Sequence, residues 1–142
     1  IFTKIVKIFS GGAPIEKILP GGSMALGTLL DPSIVKADNL TGSVVGLPGK
    51  VPPVHYQVNL DTYLLERVVG AKEEIDVKPL AKSEVLMLNV NSAATVGVVL
   101  DPSKKNTTCV LKKPICANLG DRITISRRVG DRFRLIGYGI LK

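Results

Sequence analysis

The sequence predicts an all-β protein whose larger part is a small antiparallel Greek-key β-barrel, and three observations predict it. From His55 to Leu141 six short segments follow one another with turn signals between them, which is the supply of strands such a barrel needs. No helical periodicity is sustained for three turns. Aromatic residues make up only 4% of the chain and Trp is absent, while Val, Ile, Leu and Thr are plentiful, so the core is to be built from aliphatic and β-branched side chains that suit a pleated surface.

The 142-residue chain begins without Met, directly in Ile1-Phe2-Thr3-Lys4-Ile5-Val6-Lys7-Ile8-Phe9. This stretch reads as a strand, so an upstream segment is expected. Two more strands are expected at Met24 to Leu30 and Gly42 to Leu47, with turns at Pro20-Gly21-Gly22 and Asp31-Pro32. Three strands cannot close a barrel by themselves. Leu47-Pro48-Gly49-Lys50-Val51-Pro52-Pro53 mixes residues that lock φ with residues that free it and reads as a linker. It divides the chain into residues 1–50 and residues 51–142.

Beyond the linker the alternation is clean. Tyr56, Val58, Leu60, Thr62 and Leu64 share one face, and His55, Gln57, Asn59 and Asp61 the other, as in a half-buried strand. Glu66 to Ser83, which contains Lys72-Glu73-Glu74 and Pro79, reads as a long surface loop. Strands resume at Glu84 to Val90, Thr95 to Leu100, Thr107 to Leu111, Arg122 to Arg128 and Phe133 to Leu141. Asp101 to Asn106 and Val129-Gly130-Asp131 supply hairpin turns.

The formal net charge of +7 is unevenly spread. Residues 101–142 hold ten Lys and Arg against three Asp, and five of the six Arg lie between Arg122 and Arg134. A solvated cationic face is one account; so local a cluster points equally to an anionic partner, with nucleic acid the first candidate. Arg122, Thr124, Ser126 and Arg128 alternate with Ile123 and Ile125, so Arg122 and Arg128 are expected to face solvent with Arg132 at the turn, forming a basic edge suited to phosphate. Arg127 shares the face of the Ile residues and is expected to pair with a carboxylate within the fold.

The inventory for catalysis is thin. His55 is the one His, and no nucleophile is marked beside it. Cys109 and Cys116 sit in apolar segments without metal or redox spacing and read as reduced core residues. Gly11-Gly12 and Gly21-Gly22 lack the Lys-Ser/Thr of a phosphate loop. No metal, no nucleotide cofactor and no membrane partner is expected for these residues, and a cytoplasmic location fits the absence of a long apolar run or leader.

Two stretches carry a resemblance. Ile125-Ser126-Arg127-Arg128 followed by Arg134-Leu135-Ile136-Gly137-Tyr138-Gly139 resembles the last hairpin of the gamma subunit of archaeal and eukaryotic translation initiation factor 2. Pro20-Gly21-Gly22-Ser23-Met24-Ala25-Leu26-Gly27-Thr28, Asp31-Pro32 and Lys36-Ala37-Asp38 resemble the end of that family's second domain. Leu64-Leu65-Glu66-Arg67-Val68-Val69-Gly70 and Glu84 to Val90 match between them in the same order, so the resemblance covers nearly the whole chain.

The resemblance implies a GTPase domain that holds GTP and magnesium, followed by two β-barrels arranged as in elongation factor Tu. Residues 1–50 would be the C-terminal part of the second barrel and residues 51–142 the third. It implies a carrier that brings initiator methionyl-tRNA to the small ribosomal subunit and its RNA, in a heterotrimer with alpha and beta subunits. It also implies that the terminal adenine of the tRNA packs against a loop including Gly21, Gly22, Ser23 and Met24, where Gly admits close approach and an apolar side chain meets the ring. Ser23, Met24 and Ala25 stand where the family pattern has two apolar residues and a Gly, which removes one apolar contact and adds a methyl group. The alternatives are a barrel of another tRNA-carrying GTPase of translation and a barrel that binds only protein, such as an assembly factor gripping the third domain.

Overall fold

The computed structural model of the chain describes residues 1–70, 74–103 and 105–142. Lys72 and Glu73 of the expected surface loop and Lys104 of an expected turn lie outside the described residues. The described residues fall into two compact units, Ile1–Leu40 and Thr41–Lys142.

The first unit is a three-stranded antiparallel sheet in the order β2-β1-β3, from β1 (Ile5–Ser10), β2 (Ala13–Ile15) and β3 (Ala25–Thr28). None of its residues is fully buried. Asp31-Pro32, expected as a turn, opens the short helix α1 (Pro32–Val35): the Asp31 carboxylate accepts a hydrogen bond from the Ser33 amide at 2.8 Å and caps it. That bond also lowers the Asp31 pKa.

The second unit is a closed barrel in the order β4-β7-β6-β5-β8-β9. Its strands are β4 (Val54–Leu64), β5 (Val85–Val90), β6 (Ala93–Pro102), β7 (Asn106–Cys116), β8 (Arg122–Val129) and β9 (Arg132–Leu141). β5, β6 and β7 form a meander with β4 beside its last strand, which is the Greek-key arrangement. Pairing of β9 with β4 closes the barrel and abolishes its edges. The interior is filled by Val58, Leu60, Leu86, Leu88, Val99, Ile123, Ile125, Ile136 and Leu141. Each large aliphatic chain so buried contributes roughly 1.5–3 kcal/mol.

Three local expectations are corrected. Gly42 to Leu47 is not a strand: the closed barrel offers it no edge. Tyr56 does not join Val58 and Leu60 inside, because the register between β4 and β7 slips between His55 and Gln57 and leaves Tyr56 exposed. The connection from Glu66 is more than a surface loop. Arg67 and Asp76 form a β-bridge, Val68 is buried, and Val77 and Leu80 pack on the core.

Candidate nucleic-acid interface

The basic edge is built on β8 and its hairpin with β9. Ile123 and Ile125 point into the barrel, which turns Arg122 and Arg128 outward, and Arg132 pairs with Val129 at the turn. Arg128 and Arg132 are close in register, and the Arg128 Nε donates to the Gly130 carbonyl at 3.2 Å. Arg122 stands at the other end of the strand, about 20 Å away along six residue steps. Arg122 and Arg128 therefore stand on the outer wall, while Arg132, exposed at the hairpin end, shares the face of Val129, which packs on the core, so the expected edge of three is divided between the two faces of the hairpin.

Arg127 is directed elsewhere. Its guanidinium meets both carboxylate oxygens of Glu84, with side chains only 19% and 17% exposed. It also donates to the carbonyls of Lys78 at 2.8 Å and Pro79 at 3.1 Å, and Glu84 accepts from the Ala81 amide at 2.9 Å. A planar fork suits such a set of acceptors. The pair fastens the end of the long connection to the wall, and it faces Arg134 across β8 and β9, where the Glu84 charge offsets like-charge repulsion.

Beside Arg122 lies an arrangement that sequence reading missed. Its Cζ is 4.3 Å from the ring centroid of Tyr138, and Tyr138 stacks on Tyr63 with centroids 5.1 Å apart and ring planes 17° from parallel. Tyr63 and Tyr138 are directly paired across β4 and β9. The Tyr63 hydroxyl donates to Asp61 at 3.2 Å, and the nearby carboxylate raises its pKa. In the sequence Tyr63 only shares the alternation face of Asn59 and Asp61, opposite Val58 and Leu60; which two strands close the barrel is not written there.

In the first unit, Gly21 and Gly22 lie in the turn before β3, and Met24 is 50% exposed. Ser23 and Met24 line a shallow hollow of about 260 Å³ together with Phe9, Gly11, Gly12 and Ala25. The Ser10 hydroxyl donates to the Ser23 carbonyl at 3.2 Å and ties the two loops together. The Gly11-Gly12 turn is thus the second wall of this hollow.

Gly11-Gly12 joins β1 to β2, and Gly21-Gly22 leads into β3. Neither precedes a helix whose N-terminus could receive phosphate, and neither carries a Lys-Ser/Thr, so neither of these two turns fits a GTP phosphate cradle. Among the described residues no cluster of His, Cys, Asp and Glu is arranged to hold a metal ion. His55 is half-buried with Nε2 3.0 Å from the Ala117 carbonyl, a structural contact that ties β4 to the end of β7. Cys109 is buried, and desolvation pushes its thiol pKa up to about 11; Cys116 is partly exposed. No helix among the described residues is long and apolar enough to cross a membrane.

Comparison with known proteins places this geometry in a lineage. The family model "Initiation factor eIF2 gamma, C terminal" matches residues 56–141. A translation initiation factor 2 subunit gamma from Methanothermobacter thermautotrophicus is 51% identical over 142 residues, all of this chain and 35% of that protein. Proteins of the same name from Methanocaldococcus jannaschii and Pyrococcus horikoshii are 51% and 49% identical, over 99% and 100% of this chain and 34% of each relative. The chain thus spans about a third of the length of these relatives. A closed six-stranded barrel ending in the Arg-rich hairpin, a family match across most of that barrel and about half of all residues shared along the whole chain lead to one conclusion: this chain belongs to the translation initiation factor 2 gamma subunit family.

Proposed function

We propose that the chain serves translation initiation as the RNA-facing C-terminal part of a carrier that binds initiator methionyl-tRNA and delivers it, in a GTP-dependent step, to the small ribosomal subunit. The observation that carries the reading is the exposed Arg residues of the last hairpin, Arg122 and Arg128 on its outer face and Arg132 at its end, on a chain of this family. Guanidinium groups on a rigid strand contact phosphates and so position an RNA without reading its bases. The hollow at Ser23 and Met24 supports a place for the terminal adenine, since it offers an exposed thioether chain and the Phe9 ring beside a glycine turn. GTP and magnesium belong, in this reading, to a GTPase domain of the longer carrier, and these residues catalyse nothing themselves. The alpha and beta subunits of the same factor would be its standing partners in the cytoplasm.

A second reading, a protein such as an assembly factor docked on the third-domain barrel, is favoured by Val85, Val98 and Val110. These are paired in a row across β5, β6 and β7 and are all exposed.

Filter binding of structured RNA across a salt series tests the first reading. About three phosphate contacts give a slope of log affinity against log salt of roughly −2 to −3. Replacing Arg122, Arg128 and Arg132 by Gln together is expected to flatten that slope. An affinity unchanged by salt, or by the triple substitution, would refute the basic edge as an RNA site.

A further inference from the structure

We propose that Tyr63, Tyr138 and Arg122 form a stacking platform for an unpaired nucleobase, so that the barrel wall grips single-stranded or looped RNA in addition to touching phosphates. The inference rests on the RNA-facing reading and adds to it the kind of RNA that is held.

The platform crosses three adjacent strands. Tyr138 on β9 has Tyr63 directly opposite on β4, and Arg122 on β8 is paired with Ile140, one diagonal step from Tyr138. The resulting cation–ring–ring array has spacings of 4.3 Å and 5.1 Å with nearly parallel rings. Cross-strand aromatic pairs often serve only to stabilise a sheet, at about 0.2–1 kcal/mol each. Here, however, Tyr63 keeps 48% of its surface open, and among the described residues it stacks on no ring but Tyr138. Its orientation is already set by the Tyr138 stack on one side and the Asp61 bond at its tip. A base stacking on it would meet little further ordering cost.

The surrounding charge selects the occupant. The Asp61 carboxylate at the tip of Tyr63 has the Lys142 ammonium beside it at 3.5 Å, so a cation stands next to the acidic group of the array. Arg122 stands within the array, and the main chain at Lys105 is bonded to Thr62, next to Tyr63. A flat partner that carries negative charge, a base on its phosphate, satisfies both the rings and the cations. An aromatic or apolar protein loop would satisfy only the rings.

The test uses the whole chain with a labelled single-stranded RNA of about ten nucleotides, a length suited to such sites, and the same strand annealed to its complement. Tyr63→Ala is expected to weaken single-strand binding roughly tenfold, as loss of one stacked base does, and to leave duplex binding unchanged. Tyr63→Phe keeps the ring and is expected to retain affinity. The chain has three Tyr and no Trp, and Tyr56 is exposed, so the part of the tyrosine quenching by the single strand that is lost in Tyr63→Ala but kept in Tyr56→Phe reports stacking on the platform, and melting curves establish that each variant is folded. Equal loss on both RNAs, or no loss with Tyr63→Ala, overturns the platform. If only Arg128→Gln with Arg132→Gln weakens binding, the basic edge stands and the platform falls. If only Tyr63→Ala does, the platform stands and the edge falls. Binding of an acidic, tyrosine-containing peptide in place of RNA, lost with Tyr63→Ala, overturns the nucleobase in favour of a protein occupant.

Discussion

Gly137 has the main-chain carbonyl oxygen of Tyr63 where a side chain would begin. The two residues flank the seam at which β9 meets β4, with Gly137 paired to Leu64. A side chain at this position would also crowd the Leu64 Cα, 3.0 Å away. Because the obstacle is backbone, it cannot rotate aside, and the seam itself has to open. Gly137→Ala is therefore expected to destabilise the barrel by about 2–3 kcal/mol, the range of overpacked cores. Urea unfolding checks this, and a midpoint unchanged from the parent chain would mean that the seam is looser than its geometry.

The Arg127–Glu84 pair leads to a second expectation. Both side chains are mostly buried, and the guanidinium satisfies two main-chain carbonyls besides the carboxylate. Arg127→Ala leaves Glu84 charged and without its cation, at a cost of roughly 3 kcal/mol or more. Arg127→Lys recovers only part of this, since an ammonium cannot match the fork. Amide exchange at Ala81, whose N–H is held by Glu84, is expected to quicken in both variants. An unchanged denaturation midpoint for Arg127→Ala would show that the pair contributes nothing net.

The strands of the barrel were legible because inward and outward residues alternate along them, and the same alternation singled out Arg127 for a carboxylate partner, which is Glu84. Other features depend on the partner strand and so escape a reading of one strand alone. Tyr56 has the parity of the buried Val58, but the register slip opposite β7 turns it out. β2 is only three residues long and contains Pro14, too short for any periodicity to register. The Tyr63–Tyr138 stack joins residues 75 positions apart in sequence and exists only because β4 and β9 close the barrel. At the hollow, the contribution of Gly11-Gly12 depends on the Ser10–Ser23 contact between two loops.

Cys109 offers a pH-dependent check. Its thiol is buried, and desolvation, aided by the Glu84 charge, raises its pKa from 9.0 to about 11. Below pH about 8 the thiol is protonated whether the chain is folded or not, and it adds no pH dependence. Above that the unfolded thiol ionises first, so stability falls as pH rises from about 9 to about 11, by at most roughly 2–3 kcal/mol. Cys109→Ser is expected to remove that component of the alkaline decline, which urea midpoints at pH 8 to 11 would reveal. Alkylation at neutral pH is expected to label Cys116 and spare Cys109 until the barrel unfolds; prompt labelling of both would show that the interior opens readily.

The two units are expected to differ sharply in amide exchange. Protection requires hydrogen bonds that water cannot reach and a core whose opening costs free energy. In Thr41–Lys142 every strand pairs on both sides, and the interior holds residues such as Leu60, Leu86, Ile123 and Ile136 with no measurable exposure. Opening any one strand breaks the closed ring, so the amides of β5 and β8 are expected to exchange only on global unfolding. In Ile1–Leu40 only β1 has a neighbour on each side, no side chain is fully buried, and Ile5, Val6 and Met24 lie about half exposed. Its sheet bonds therefore open without the loss of a core, and exchange there is expected to be faster by orders of magnitude, with β2 fastest. Mass-resolved exchange on the whole chain reads both units in one sample. Protection at Ile8 equal to that at Ile125 would mean that the three-stranded sheet has a source of stability that its own residues do not supply.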